Sequence, residues 1–266
     1  FSFSCRYDDY TSLYGDFRSI IVPQLSLIRV EKSKALKLVY SQNYRPPSIS
    51  ESYYNDGGIS EIANPNLAPE KHKTWHLIYY QELKRKNLKG YFSLGFYFTN
   101  IEDIIDEVNL GINSLGINVI QYQNVEDIEI LGGIMDYVVY FEDKEFFRIS
   151  YSYSNARTLK NFSFLSNSPQ SLFLLKYAKR ISQDLWVSFE NKYTSSALDN
   201  YGIKVGGYNI TNFNFIYELK EGNLTLSIHN IFDVKASNVI SLGANYPVSV
   251  YPVKPRTIYL NLVKGF

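Results

Sequence analysis

The sequence predicts an all-β fold, a transmembrane antiparallel up-and-down β-barrel, on three observations. Apolar and polar residues alternate with period two along most of the chain, a pattern that a strand sorts onto two faces and a helix would scatter. The connections between these runs are short and long by turns, so every second turn falls on the same rim. The final run, 256–266, carries Ile258, Leu260, Leu262 and Phe266 on one face, broken by Lys264, against Thr257, Tyr259, Asn261, Val263 and Gly265. About 9–11 residues is the length a tilted strand needs to cross a bilayer with one side on hydrocarbon and the other on a wet lumen.

Taken in order, strands are expected near 1–7, 22–30 and 35–43, with a long connection at 8–21 and a short polar one at 31–34. After a long connection at 43–70 come strands near 71–83 and 88–102, joined by Lys84-Arg85-Lys86-Asn87, a basic turn. A long connection at 103–116 leads into a strand at 117–141, with a bulge expected near Gly132-Gly133 where the alternation slips. Glu142-Asp143-Lys144 turns the chain into 145–156, where Phe147, Ile149, Tyr151 and Tyr153 alternate with Arg148, Ser150, Ser152 and Ser154. Past 157–168 lie strands near 169–179 and 184–194, joined by 180–183. Past 195–206, the strand at 207–219 sets Phe213, Phe215, Tyr217 and Leu219 against Asn212, Asn214, Ile216 and Glu218. Lys220-Glu221-Gly222 then leads to 223–232, with Leu224, Leu226 and Ile228 against Asn223, Thr225, Ser227 and His229. A long connection at 233–254 precedes the twelfth strand, 255–266. Short periplasmic turns and long extracellular loops are the asymmetry of bacterial barrels, which places the C-terminus on the periplasmic side. A soluble sandwich also alternates, but nothing in it segregates loop lengths by side.

Composition agrees with this. The 266 residues suffice for one large domain or part of a larger one. No run of 18 apolar residues is present, so no helix is expected to span a membrane. A mean hydropathy of -0.20 is what alternation produces even in a membrane barrel. Twenty-four Tyr and 17 Phe against 2 Trp supply material for interfacial girdles. A net charge of +1 argues against nucleic acid as a partner. Cys5 is the lone cysteine and has no internal partner. The single methionine is Met135, so the sequence is expected to be processed or to be a piece of something longer.

Five collinear motifs carry a family resemblance. They are Asn43-Tyr44-Arg45-Pro46-Pro47-Ser48; Ala63-Asn64-Pro65-Asn66-Leu67-Ala68-Pro69-Glu70; Tyr122-Gln123-Asn124-Val125 with Gly132 downstream; Asn230-Ile231-Phe232-Asp233; and Tyr251-Pro252-Val253-Lys254-Pro255-Arg256-Thr257. Together they resemble the TonB-dependent outer-membrane receptors, in that family's order. Pro46, Pro47, Pro65 and Pro69 remove donors where strand pairing must stop. Three departures stand out: Ile134 replaces an acidic residue, Pro255 a glycine, and Lys264 an apolar position of the final strand.

The resemblance implies a barrel of roughly 22 strands with a plugged lumen. It also implies an N-terminal plug and a segment that binds TonB. Neither is found here, so residues 1–266 are expected to be the C-terminal part of such a barrel, without a plug domain. The implied activity is TonB-energised uptake of an iron complex across the outer membrane of a Gram-negative bacterium, with outer-membrane lipid as a further partner. Haem receptors of the family place a histidine between the first two motifs. Residues 48–63 contain Tyr53, Tyr54, Asp56 and Glu61 but no histidine, so a ferric siderophore is favoured over haem or cobalamin. Arg45, Tyr53 and Tyr54 are the substrate-contacting candidates, with Arg45 also expected to fix its loop.

Other residues are weighed beside these. His76 and His229 sit on the polar face of their strands, and His72 is the third histidine. A barrel hydrolase would need one of them beside a serine and an orienting group; lumenal hydrogen bonding is the simpler role. Glu102, Asp103, Asp106 and Glu107 form an acidic run that suits a solvated face better than Ca²⁺. No cofactor, metal site or enzymatic activity is expected. A self-contained twelve-stranded passive channel is the alternative to the receptor.

Overall fold

Alternation decides the architecture, because a strand that is apolar on one side only can be used only where its two sides meet different surroundings. The computed structural model describes residues 1–9, 19–141, 145–160, 163–199, 201–239 and 250–264. In chain order the elements are β1 (Ser2–Asp9), β2 (Ser19–Glu31), β3 (Lys34–Arg45), α1 (Ile49–Tyr53), β4 (Glu70–Arg85), β5 (Leu88–Glu102), β6 (Ile105–Ile112) and β7 (Asn118–Asn124). Then come β8 (Ile128–Phe141), β9 (Glu145–Thr158), β10 (Ser171–Arg180), β11 (Leu185–Thr194), β12 (Ala197–Leu198) and β13 (Lys204–Val205). The last are β14 (Tyr208–Leu219), β15 (Gly222–His229), β16 (Ser237–Val239), β17 (Val250–Pro252) and β18 (Thr257–Lys264).

Twelve of these strands form one antiparallel sheet in the order β1-β2-β3-β4-β5-β8-β9-β10-β11-β14-β15-β18. Three two-stranded hairpins, β6-β7, β12-β13 and β16-β17, stand apart from it. All three hairpins and α1 lie in long connections on one rim, opposite the short turns.

Register converts the alternation into two continuous faces. Directly paired residues share a face, and the pairs chain across the sheet. On one face Phe3, Leu25, Tyr40, Trp75, Phe98 and Leu131 follow one another from β1 to β8. On the same face a second line runs from Ile258 and Ile228 at the long-loop ends of β18 and β15, through Phe213, Phe189, Tyr177 and Phe147, to Val139 near the short-turn end of β8. Ring pairs reinforce this apolar face: Tyr40 with Trp75 at 4.7 Å and Phe189 with Phe213 at 5.3 Å between centroids.

The other face is polar. There Asp136 accepts from Arg148 Nε at 3.0 Å, from Tyr91 Oη at 2.9 Å and from Ser150. Glu190 meets Lys192 at 2.8 Å, Lys176 at 3.4 Å and the Asn212 amide at 3.1 Å. On the same face Gly132 makes room for a ring, since a Cβ there would lie 2.3 Å from Tyr97 Cζ.

Two expectations are corrected. The expected strand at 117–141 is two strands: β7 belongs to a hairpin on the long-loop rim, and β8 alone joins the large sheet. The break between them lies at Val125-Glu126-Asp127, ahead of the glycines. No bulge occurs at Gly132-Gly133, where the ladders to β5 and β9 run in unbroken register. The expected turn at 142–144, part of the 8–21 and 233–254 connections, and the terminal Gly265-Phe266 lie outside the described residues. No described helix is long and apolar enough to cross a membrane.

The two faces should respond differently to charge. Leu226 pairs with Phe215 and Leu260 on the apolar face, and its neighbour Thr225 with Ile216 and Asn261 on the polar one. In phospholipid vesicles Leu226→Arg is expected to cost about 2–4 kcal/mol of folding free energy. Thr225→Arg is expected to stay within roughly 1 kcal/mol of the parent. Urea titration followed by tryptophan fluorescence reads both.

Candidate functional site

The long-loop rim is held by one arginine. Arg45 is the last residue of β3, and Pro46-Pro47 then ends the ladder by removing two donors. Its Nε and Nη2 donate to the two carboxylate oxygens of Glu70, at 2.8 and 2.6 Å, across the register pair that opens β4. Its Nη1 donates to both oxygens of Glu51, at 2.9 and 3.1 Å. A planar guanidinium suits this double fork, which an ammonium cannot reproduce. Glu70 also accepts the backbone N–H of Ile105 at 3.0 Å and faces His72 Nε2 at 3.3 Å. One charged cluster thus ties the end of β3, the start of β4, α1 and the start of β6.

Local sequence explains α1. Ser48-Ile49-Ser50-Glu51 is a capping box: Ser48 Oγ accepts the Glu51 N–H at 3.1 Å, and Glu51 accepts the Ser48 N–H at 2.6 Å. Burial alone would push the Glu51 carboxyl up, but the Ser48 N–H and Arg45 outweigh it and hold the group below its usual value of 4.5. Asp56, past the helix, accepts from the Ser60 hydroxyl and from the N–H groups of Ser60, Ile59 and Glu61. These bonds, led by those from Ser60, draw its pKa down to about 2.

The β6-β7 hairpin is stitched to the same loop. Glu61 and Ile120 form a parallel bridge, with Ile62 N–H to Ile120 O at 3.0 Å and Ile120 N–H to Ser60 O at 2.9 Å. Asn124 accepts the Ala68 N–H at 2.9 Å and donates to the carbonyls of Ala68 and Asp103, at 2.9 and 2.7 Å. Asn64 donates to Tyr122 O at 2.8 Å. Tyr122 donates to Glu107 at 3.0 Å, and burial together with that carboxylate pushes its phenol up to about 12. The two asparagines of the second and third motifs therefore have a structural task each.

A second corner closes the last long connection. Asn230 is 2% exposed, with φ 50°, a left-handed backbone that asparagine tolerates better than most residues. Its amide donates to Val234 O and Lys254 O at 3.1 and 3.0 Å and accepts the Val234 N–H at 2.9 Å. Asp233 accepts the Arg256 N–H at 2.9 Å and pairs with Lys235. The fourth and fifth motifs thus meet in space.

The predicted residues fall in different settings. Arg45 is engaged by two carboxylates and pins the loop. Tyr53 and Tyr54, at the end of α1, are 48% and 51% exposed on the rim. The acidic run is dispersed: Glu102 pairs with Lys73 at 2.5 Å, Asp103 with Lys71 at 3.5 Å, and Glu107 with Tyr122. His76 stacks on Tyr97 at 5.9 Å, and His229 stands edge-on to Tyr259 at 5.5 Å, both on the polar face. Glu51, the bonds made by Asn124 and the hairpin are what the sequence reading missed. Ser48-x-x-Glu51 was a readable signal for the helix; nothing local announces the reach of Asn124 back to Ala68.

The family description "TonB dependent receptor-like, beta-barrel" matches residues 1–231. The solved siderophore receptor PirA from Acinetobacter baumannii is similar over 96% of this chain and 42% of its own, at 16% identity and a TM-score of 0.73. The ferric-catecholate import receptor Fiu from E. coli K12 is similar over 91% of this chain and 34% of its own, at 16% identity and 0.69. FpvA of P. aeruginosa, solved with an iron-pyoverdine complex, is similar over 92% and 32%, at 14% identity and 0.69. The chain therefore spans about a third to two fifths of the length of these structures. At such identities the likeness is one of fold. No curated protein matches the sequence.

Two outcomes are expected of the rim. Arg45→Ala leaves two carboxylates without their shared cation, and cleavage within 46–69 by added protease should accelerate about tenfold, the effect of roughly 1.4 kcal/mol; Arg45→Lys should restore only part of the protection. The second outcome concerns acid. Glu51 and Asp56 have lowered pKa values in the folded chain. Their stabilisation is therefore complete above the unfolded values, 4.5 and 3.8, and is lost as pH falls through the folded ones. Amide exchange at Ser60 and Glu61, corrected for intrinsic rate, should hold constant from neutral pH down to about 4.5 and accelerate towards 2. Asp56→Asn should remove most of that acid step.

Proposed function

Because the chain belongs to the TonB-dependent receptor-like β-barrel family, we propose that it forms wall and outer vestibule of a receptor that takes up an iron complex across the outer membrane of a Gram-negative bacterium. The observation that carries this reading is the pairing of a continuous apolar sheet face with a pinned cluster of loops on one rim. The apolar face stands in outer-membrane lipid, where each backbone group must be bonded within the protein. The short turns face the periplasm and the long-loop rim faces outward.

Residues 1–266 contribute the C-terminal part of a barrel of roughly 22 strands, and the plug and the TonB-binding segment belong to other residues of the parent protein. Transport then needs no covalent step. The loops capture the ligand, and energy passed through TonB loosens the plug. A ferric siderophore is favoured over haem or cobalamin: the loop from Ser48 to Ala63 offers exposed Tyr53 and Tyr54 and no histidine. The similar solved proteins named as a siderophore receptor and as a ferric-catecholate import receptor support the same choice. A self-contained twelve-stranded channel would need a ladder between β1 and β18, and among the described residues these are the two ends of the sheet order.

The test is uptake of a radio-iron catecholate complex by cells carrying the complete receptor. Uptake should stop when TonB is deleted. Tyr53→Ala with Tyr54→Ala should weaken equilibrium binding about fivefold or more, roughly 1 kcal/mol of lost aromatic contact. TonB-independent uptake, or binding unchanged by both substitutions together, would overturn the respective part of the reading.

A further inference from the structure

The short-turn rim carries its charge unevenly. On the β2-β3 hairpin Arg29, Lys32, Lys34 and Lys37 stand against Glu31 alone. On the β4-β5 hairpin Lys84, Arg85, Lys86 and Lys89 stand against Glu82 alone. The whole chain has a net charge of +1, so this excess is local. The two hairpin ends touch: Lys34 pairs with Gln81 in the β3-β4 ladder, and the Glu82 N–H donates to Ser33 O at 2.7 Å. Arg29 pairs with Glu31; among the described residues the other seven cations have no carboxylate within ion-pair distance. All but Lys37 are exposed.

Three of these cations sit against local rules. Lys84 and Lys89 are directly opposed in the β4-β5 ladder, and like charges so placed destabilise a sheet. Lys32 has φ 47°, a left-handed backbone for which glycine, asparagine or aspartate is the usual residue. Costs that bring no return inside the chain point to a role outside it. None of the other short connections shares the excess. Arg180 pairs with Glu218 at 2.9 Å, Lys220 is followed by Glu221, and Glu142 and Asp143 precede Lys144 in the sequence.

We propose that the two hairpin ends form a docking surface for an acidic, extended segment of a periplasmic protein. The inference rests on the reading that the short turns face the periplasm. A leaflet of anionic lipid would touch every turn of the rim alike. It would also reach only the apolar side of the sheet, where Arg29, Lys34 and Arg85 lie. Lys37, Lys84 and Lys89 lie on the polar side, and a discrete partner below the rim meets both sets. The two ends are two strand spacings apart across the sheet, and Arg85 lies four residues beyond Gln81. The diagonal is about 16 Å, which about five extended residues cover. Carboxylates on such a segment gain charge-assisted hydrogen bonds, and the local excess of charge steers their approach.

The experiment places the complete receptor in nanodiscs of neutral phosphatidylcholine and follows the anisotropy of a fluorescent hexaglutamate peptide, with hexaglutamine as its control. Hexaglutamate should bind one per receptor, at least tenfold more tightly than hexaglutamine, and should weaken as salt is raised. Lys84→Gln, Arg85→Gln and Lys86→Gln together should abolish the binding, and Lys220→Gln should leave it unchanged. Phosphatidylglycerol in the disc and soluble peptidoglycan fragments should leave the peptide bound. Displacement by either, no preference for hexaglutamate, or binding indifferent to the triple substitution overturns the proposal. In cells, a photo-crosslinker in place of Lys86 should link to a protein through a peptide with three or more carboxylates in six residues, and one in place of Lys220 should not. No adduct, or an adduct through a neutral peptide, also overturns it. Lys86→Cys in a Cys5→Ser background tests the reading beneath: an impermeant maleimide should label it only after the outer membrane is opened. Labelling of intact cells overturns the orientation, whereas absent binding with the orientation upheld overturns the docking surface alone. Because the unsubstituted receptor's preference decides the main point, a misfolded variant cannot obscure it.

Discussion

A peptide group surrounded by hydrocarbon has no water to bond, and this constraint shapes everything else in the chain. Only a ladder that satisfies every interior N–H and C=O with a neighbouring strand is tolerable there. Within the twelve-stranded sheet the ten inner strands meet this with antiparallel pairs on both sides, of up to sixteen residues in β4, while β1 and β18 are paired on one side among the described residues. Once the ladder is in place, side chains have just two directions to take. One direction collects Leu, Phe, Tyr and Ile; the other collects Asp136, Arg148, Glu190 and Lys192, whose charges are matched among themselves. The polar face thus presents paired charges to the lumen.

The rims follow from where the ladder must stop. On the short-turn side a few residues suffice, because antiparallel neighbours need only reverse direction. On the long-loop side, prolines interrupt pairing and the freed backbone groups are bonded by side chains instead. Arg45 with two carboxylates, Asn124 across two loops and Asn230 at the last corner are the three principal devices. Each joins segments distant in sequence, so loops that would otherwise cost conformational entropy to hold are braced against one another.

Much of this was legible beforehand, and the limits are physical. Period two marks strands strongly wherever one face is apolar, so β9, β14, β15 and β18 were readable from their rows of Phe, Tyr, Leu and Ile. Alternation says nothing about which ladder a strand joins. β7 and β8 are both extended, only Val125-Glu126-Asp127 separates them, and one continuous strand was the natural reading. The five motifs were visible as residue strings. Their meaning is three-dimensional: Arg45 finds Glu70 through register, and Asn230 finds Lys254 through a corner. Tyr53 and Tyr54 could be singled out as aromatic, but only their place on a capped helix shows how they are presented.

The capped helix has a consequence for change over time. Its five residues, Ile49–Tyr53, are anchored through Ser48 and Glu51, while Tyr53 and the following Tyr54 project from the other end. Tyr54 lies past the last helical residue, outside the capping box. A substitution at Tyr54 therefore leaves both bonds of the capping box in place, so the rim can vary at that point without reopening the architecture beneath.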